Sequence, residues 1–468
     1  MRRFLLAAFL ACSFKGHAQE AVWRCNQSPL LIENVQIFGS GDEPQAIFIE
    51  NGRIEWIGPA GQRPQGPNAR VIDGGFATAL PGLIDSHTHF DALAAGKDGA
   101  AKLNRQLDIF PITMRQTLAS GVTTARTHLA ALADLPLMAR LGADNCFPSP
   151  RLSLAGPGLL GGAPAVNSRL MRGIKNAEDA RLKIAEIAAL GAEWVALHRV
   201  EKFSSDELKM IIRTASSHGL KLMADTDAFP ALDAALDAGV ISGEYLNRSA
   251  VLDYPDSIIK KLKSRSAPFY SVAPIGYYRR AFLRNSGRDV LLPKSLFSFV
   301  APSVEKTMRD SFSGEFEGDP YIAKIVASYA VMPRKFAALG EAGAIQLVGT
   351  DAGSTGHFHY DAIWHEFSAW QEFGRSPDAI IAAATALPSK MLGRPDIGRL
   401  AKSNLGDLLL YKGDLSAGEF DREKVFAVVK GGVVFVKDYR WRGPDTLATK
   451  ALIQKHRKMQ HAEITGKS

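Results

Sequence analysis

The stretch Leu80-Pro81-Gly82-Leu83-Ile84-Asp85-Ser86-His87-Thr88-His89 decides how this 468-residue chain is read. An apolar run meets a Pro-Gly turn and then presents two histidines two residues apart. Side chains two apart on a strand share a face, so His87 and His89 can bring both imidazoles to one point. Two neutral imidazoles at one point suit a borderline divalent metal such as zinc. A His-x-His pair alone is common by chance; after an apolar strand and a Pro-Gly turn it is much less so.

Outward from this stretch, short apolar runs alternate with amphipathic ones. Strands are predicted at 80–84, 122–126, 152–154, 194–197, 220–224, 269–272 and 345–348, and helices at 177–190, 205–218, 231–238, 331–339 and 376–386. Strand and helix alternating over roughly 300 residues argue for a parallel sheet, with a closed (β/α)8 barrel favoured at this length. A doubly wound open sheet is the alternative, weakened because no Gly-rich phosphate fingerprint follows a strand. Two β-rich segments flank this region. Residues 30–37 and 46–57 carry the hairpin signal Asn51-Gly52, and 408–411, 425–430 and 433–436 carry Gly431-Gly432. The longest interruption, 277–329, begins with Tyr277-Tyr278-Arg279-Arg280 and reads either as a lid over the site, with Tyr277 and Arg279 as substrate contacts, or as a solvated helical insertion.

With 46% hydrophobic and 22% charged residues the chain is not disordered, and its length with only 3 Cys excludes a disulfide-stapled mini-protein. The excess of 56 Lys and Arg over 48 Asp and Glu is too modest to indicate a nucleic-acid binder. Arg2, Arg3, the apolar run 4–14 and Gly16-His17-Ala18 read as a signal peptide over residues 1–18, too short to span a bilayer as a helix of about 20 residues. The expectation is an exported protein, periplasmic or extracellular. Cys25 and Cys146 then remain, as either a disulfide or two buried thiols.

A second motif supports the first. The strand 345–348 runs into Gly349-Thr350-Asp351-Ala352-Gly353, which puts Asp351 at a strand's C-terminal end, where a barrel keeps its catalytic groups. Such an aspartate can ligate a metal or take a proton from water.

Together with Gly121-Val122-Thr123-Thr124, residues 382–393 and Asn404-Leu405-Gly406-Asp407-Leu408, these motifs resemble the amidohydrolase superfamily, in particular its imidazolonepropionase-like and prolidase-like branch, over residues 30–437. The resemblance implies a (β/α)8 barrel over 80–400 and a small composite β-sandwich from 19–79 and 401–440; beyond it, Lys450, Lys455, Arg457 and Lys458 mark a basic tail over 441–468. It also implies hydrolysis of an amide or related C–N bond with one or two divalent metals. In the family the metals are held by the first-strand histidines, a fourth-strand lysine or glutamate, histidines ending the fifth and sixth strands, and the eighth-strand aspartate.

His87, His89 and Asp351 match those positions, and three others do not. Ala196 stands at the lysine position, Asp225 at the fifth-strand histidine and Tyr245 at the sixth. The expectation is a reduced site: one divalent ion on His87, His89, Asp351 and Asp225, zinc or, with Asp225 bound, Mn²⁺ or Mg²⁺. A chain with no metal is the alternative. Asp351 acts as proton acceptor, Tyr245 orients a substrate carbonyl, and His198 is the best replacement ligand or substrate contact. His128, His357, His359 and His365 read as loop or rim residues. The activity implied is cleavage of a C–N bond in a non-peptide amide, cyclic amide or dipeptide; the competing reading is a catalytically degenerate binding protein of the same fold. A small-molecule substrate is the expected partner, with no nucleic acid and no integral membrane segment once the leader is removed; a homo-oligomer is left open.

Overall fold

Alternating apolar residues at the N-terminal end form β1 (Leu30–Ile37), β2 (Gln45–Glu50), β3 (Arg53–Pro59) and β4 (Arg70–Pro81). The computed structural model describes residues 25–41, 43–62, 68–94, 109–245, 251–286, 292–312 and 320–465, so the expected leader lies outside it. Asn51 and Gly52 take φ values of 51° and 77°, the positive pair a two-residue hairpin needs, and join β2 to β3.

The strand expected at 80–84 is divided. β4 stops at Pro81, and the chain turns at Gly82 into β5 (Leu83–Thr88). Gly82 is required there because a Cβ would sit 2.0 Å from Thr123 Oγ1. β5, β6 (Val122–Thr127) and β7 (Arg151–Ser153) make a parallel three-stranded sheet. A second sheet holds β8 (Gly158–Leu160), β9 (Met171–Gly173), β10 (Trp194–His198), β11 (Lys221–Asp225), β12 (Ser242–Glu244), β13 (Tyr270–Ala273) and β14 (Ile345–Val348) in the order β14-β13-β12-β11-β10-β8-β9, its ladders parallel. Isolated bridges Thr88↔Ala352 and Ala155↔Trp194 join the three-stranded sheet to the end of β14 and to β10, and no continuous backbone ladder connects the two sheets. The architecture is mixed α/β on parallel sheets. β12 escaped periodicity because Ser-Gly-Glu carries no apolar side chain to alternate.

Strand faces alternate as expected. Trp194 and Ala196 pack with Ile84, Met223, Val272 and Leu347 in one core, while Val195 and Leu197 belong to the larger core beneath the helices. Two flanking helices start on strong signals: Asn176 caps Ala177–Ala189, and Ser204 with Glu207 forms a capping box on Ser205–Ser217. The helix expected at 376–386 breaks at Thr385 into Pro377–Ala383 and Ala386–Leu392. In the 277–329 segment, Tyr277, Tyr278 and Ala281 of helix Ile275–Asn285 pack with Ile322, Ile325, Met332 and Tyr245 in a buried cluster. The described part of that segment therefore packs onto the end of β12 and is no solvated appendage.

The C-terminal strands β15 (Leu408–Tyr411), β16 (Val425–Lys430), β17 (Val433–Lys437) and β18 (Arg440–Trp441) return to the first sheet, whose order is β18-β17-β16-β15-β4-β1-β2-β3. The basic tail contains helix Thr446–Thr465. Cys25 and Cys146 form a disulfide with Cα atoms 5.3 Å apart. No helix among the described residues is long and apolar enough to cross a membrane.

Polar bonds tie this eight-stranded sheet to the parallel one. Asp407 takes Arg151 in a fork (2.7 and 3.0 Å) and accepts from the Gly431 amide (2.7 Å). Lys430 Nζ donates to the carbonyls of Asp144, Phe147 and Ser149. Asp407→Ala strands the Arg151 charge and the Gly431 amide, so chemical denaturation is expected to show a loss of about 3 kcal/mol. A loss under about 1 kcal/mol would mean that this junction does not anchor the sheet.

Candidate metal centre

His87, at the end of β5, is fully buried, and its Nδ1 lies 2.7 Å from Glu244 Oε2. Glu244 is itself held by Arg126 Nη2 (2.6 Å) and Ser242 Oγ (2.7 Å). Arg126 also donates from Nε to the Ser86 carbonyl (2.7 Å) and from Nη1 to Ser242 Oγ (3.0 Å), with its guanidinium 4.7 Å above the Trp194 ring. Burial alone would raise the Glu244 pKa, but Arg126 and His87 outweigh it and hold it at about 2. A carboxylate at Nδ1 makes that nitrogen the donor and turns the other nitrogen into an acceptor.

That other nitrogen, His87 Nε2, faces Asp351 Oδ1 at 3.5 Å and has no hydrogen-bond partner among the described residues. His89 Nε2 lies 3.0 Å from the same oxygen. A lone pair facing a carboxylate calls for a positive charge between them. In the metal-free chain a proton fills that role: burial pulls the His87 pKa down, but Asp351 and Glu244 overcome it and raise it to about 9. The same space suits a divalent cation, since His87, His89 and Asp351 offer ligand atoms all within 4.8 Å of one another.

The backbone around Asp351 is braced. Asp85 accepts from Thr350 Oγ1 (2.6 Å), the Thr350 amide (3.0 Å) and the His87 amide (3.1 Å), and the Thr350 and Asp351 amides both donate to the His87 carbonyl. Burial raises Asp85 to about 6 against these bonds. Asp351 (φ 55°) and Tyr245 (φ 73°) adopt the left-handed conformation, which costs a non-glycine residue about 1 kcal/mol or more and gathers at functional sites. The Tyr245 ring lies 5.4 Å from that of His87.

Asp225 does not join His87, His89 and Asp351. Its Oδ2 lies 2.8 Å from His198 Nδ1 and its Oδ1 3.1 Å from His128 Nε2, a second group of three. The two histidines outweigh burial and hold Asp225 well below the usual carboxylate range. His128, expected on a loop, is fully buried and stacks on His87 with centroids 4.3 Å apart; burial, with the His87 charge, lowers it to about 3.

Tyr277 is buried, its ring 5.6 Å from His357. Arg279 is taken by Glu372, Nε to Oε2 at 2.8 Å, and so is not a free substrate contact. The His359 ring meets the His89 carbonyl at 2.9 Å and supports that strand end, and His365 pairs with Asp361.

Sequence reasoning passes over Arg126 and Glu244 and reads His128 as a loop or rim residue. A buried arginine among threonines in β6 was the available signal, but its partner lies 118 residues away and only the fold brings them together.

A family profile described as "Amidohydrolase family" matches residues 78–258. An imidazolonepropionase of Micrococcus luteus is 28% identical over 216 residues, 42% of this chain and 48% of that protein, so the match spans about half of that relative. A crystal structure described as an amidohydrolase superposes with a TM-score of 0.68 at 22% identity, covering 88% of this chain and 100% of that one. A Xaa-Pro dipeptidase with bound methionine in its active site gives 0.66 at 19% identity, covering 87% and 100%.

Proposed function

Because this chain belongs to the amidohydrolase superfamily, in its imidazolonepropionase- and prolidase-like branch, we propose that it is a metal-dependent hydrolase cleaving a C–N bond in a small amide, cyclic amide or dipeptide. The carrying observation is that His87, His89 and Asp351 converge while His87 Nε2 is left without a hydrogen-bond partner among the described residues. A divalent ion held by these three supplies Lewis acidity toward water and the substrate carbonyl.

The chain's own groups divide the remaining work. Glu244, fixed by Arg126, sets the tautomer and aim of His87. Asp351 accepts a proton from the attacking water and returns it to the leaving nitrogen. Tyr245 orients the substrate carbonyl, and Tyr277 stands in the wall of buried aromatics behind it. We read the eight strands β5, β6, β7 and β10 to β14 as a (β/α)8 barrel over 80–400, with a composite β domain from both chain ends; the linking bridges and the likeness to solved structures support this. The Cys25–Cys146 disulfide supports export.

The test is metal content. Purified chain dialysed against zinc is expected to retain metal, and His87→Ala to lower that affinity at the His87 centre by more than about 100-fold. Chelation is expected to abolish hydrolysis of an amide or dipeptide panel. A chain that retains no ion and hydrolyses nothing in the panel gives way to the binding-protein reading, and one that hydrolyses equally well after chelation is a hydrolase that does not depend on a metal.

A further inference from the structure

We propose that His128, His198 and Asp225 form a second divalent-cation site of their own. This deepens the metal-centre reading and rests on it for what the ion is used for, while its ligand atoms are separate. They come from three elements: His128 one residue past β6, His198 ending β10 and Asp225 ending β11, with all three ligand atoms within 4.8 Å of one another.

The polar accounting of this cluster does not close without a cation. His128 is fully buried, and neither of its ring nitrogens has a hydrogen-bond partner among the described residues; the same holds for His198 Nε2 and Asp225 Oδ1. His128 Nε2 and Asp225 Oδ1 stand 3.1 Å apart, yet they are not aligned as donor and acceptor. Each buried polar atom left unpaired costs about 1–3 kcal/mol, and a packed core does not gather them without use. A cation here turns one His128 nitrogen and Asp225 Oδ1 into ligands, with His198 Nδ1 as the third.

A glycine sets the aim of the third ligand. A Cβ on Gly158 would lie 2.5 Å from both Cδ2 and Nε2 of His198. Only the missing side chain lets the ring lie flat there, which leaves Nδ1 toward Asp225 at 2.8 Å. Two imidazoles and one carboxylate suit zinc, cobalt or manganese better than calcium or magnesium.

The cluster uses one of the three positions where the sequence departs from its family, Asp225, and leaves the other two out. Ala196, at the lysine position, is buried in the apolar core, and Tyr245 replaces a histidine. His198 lies two residues beyond Ala196 in β10, and β6 adds a ligand from a strand that the resemblance does not use. The two groups of three are neighbours through the stacked rings of His87 and His128.

The test is stoichiometry on the full chain, by equilibrium dialysis against zinc alone with elemental analysis. About two ions per chain are expected for the wild type, and about one each for Asp225→Asn, His198→Gln and His89→Gln. Asp225→Asn and His198→Gln alter partly exposed side chains, so the test does not depend on a variant of the buried His128 folding. In the cobalt(II)-substituted protein, ligand-field absorption is expected to fall by about half in Asp225→Asn. A single ion that His89→Gln removes and Asp225→Asn leaves in place overturns this proposal while sparing the first centre. A single ion with the opposite dependence upholds this site and overturns the first. Wild type without bound zinc overturns both.

Discussion

Asp351→Asn is expected to lower kcat by about 10²- to 10⁴-fold at saturating metal, with a much smaller change in KM. The asparagine keeps the shape and the left-handed backbone that Asp351 adopts at φ 55°, and asparagine tolerates that conformation well. What it loses is the charge that faces His87 and His89 and the capacity to accept a proton from water. Metal occupancy must be held at saturation, because an amide is also a poorer ligand than a carboxylate. Steady-state kinetics on the best substrate of an amide and dipeptide panel decides it. A variant that turns over at the wild-type rate with metal bound would remove Asp351 as proton acceptor and leave it only a ligand.

The second large effect concerns a residue that touches no substrate. Arg126→Met is expected to cost about 3–5 kcal/mol of unfolding free energy, because it leaves the fully buried Glu244 carboxylate without its countercharge. It also strips the Ser86 carbonyl and Ser242 hydroxyl of their donors. Pairing it with Glu244→Gln is expected to recover a large share of the loss, since removing both charges of a buried pair is far cheaper than removing one. Metal affinity follows a different course. Both variants disturb the group that fixes His87, so both are expected to bind zinc at that centre about 10- to 100-fold more weakly than the wild type. Urea titrations of the two variants against wild type measure the first claim; single and double variants of equal stability would show that Glu244 does not depend on Arg126 for its charge.

Much of the site was legible for a geometric reason. The two-residue spacing of His87 and His89 is the strand period itself, and Asp351 announced itself by following a short apolar run with a glycine turn. Asp225 is reached through the family resemblance, as the residue at the fifth-strand histidine position, and is grouped with His87, His89 and Asp351, from which the structure sets it apart. Which residues it faces depends on how β11 is set against β10 and the end of β6, and no local pattern encodes that. His128 reads as a loop or rim residue because it sits one residue outside a strand whose own sequence gives it no special mark. Glu244 lay in a strand of three residues with no apolar side chain, too short for any period to show. The Cys25–Cys146 bond was one of two open alternatives until the fold brought the Cα atoms within 5.3 Å. Flanking hairpins were read correctly at both ends because their turns need positive φ, and Asn-Gly and Gly-Gly supply it.

The sheet built from both chain ends imposes an order of assembly. β4 lies between β1 and β15, so one of its edges stays open until the last part of the chain has been synthesised. The same strand leads through Pro81 and Gly82 straight into the histidines of β5. Pairing across so great a separation in sequence is slow, and an open edge is exposed to other chains while it waits. A ribosome that stalls before Leu408 would therefore release a chain that carries the two candidate ligand histidines beside an unprotected strand, a strong candidate for chaperone capture or aggregation.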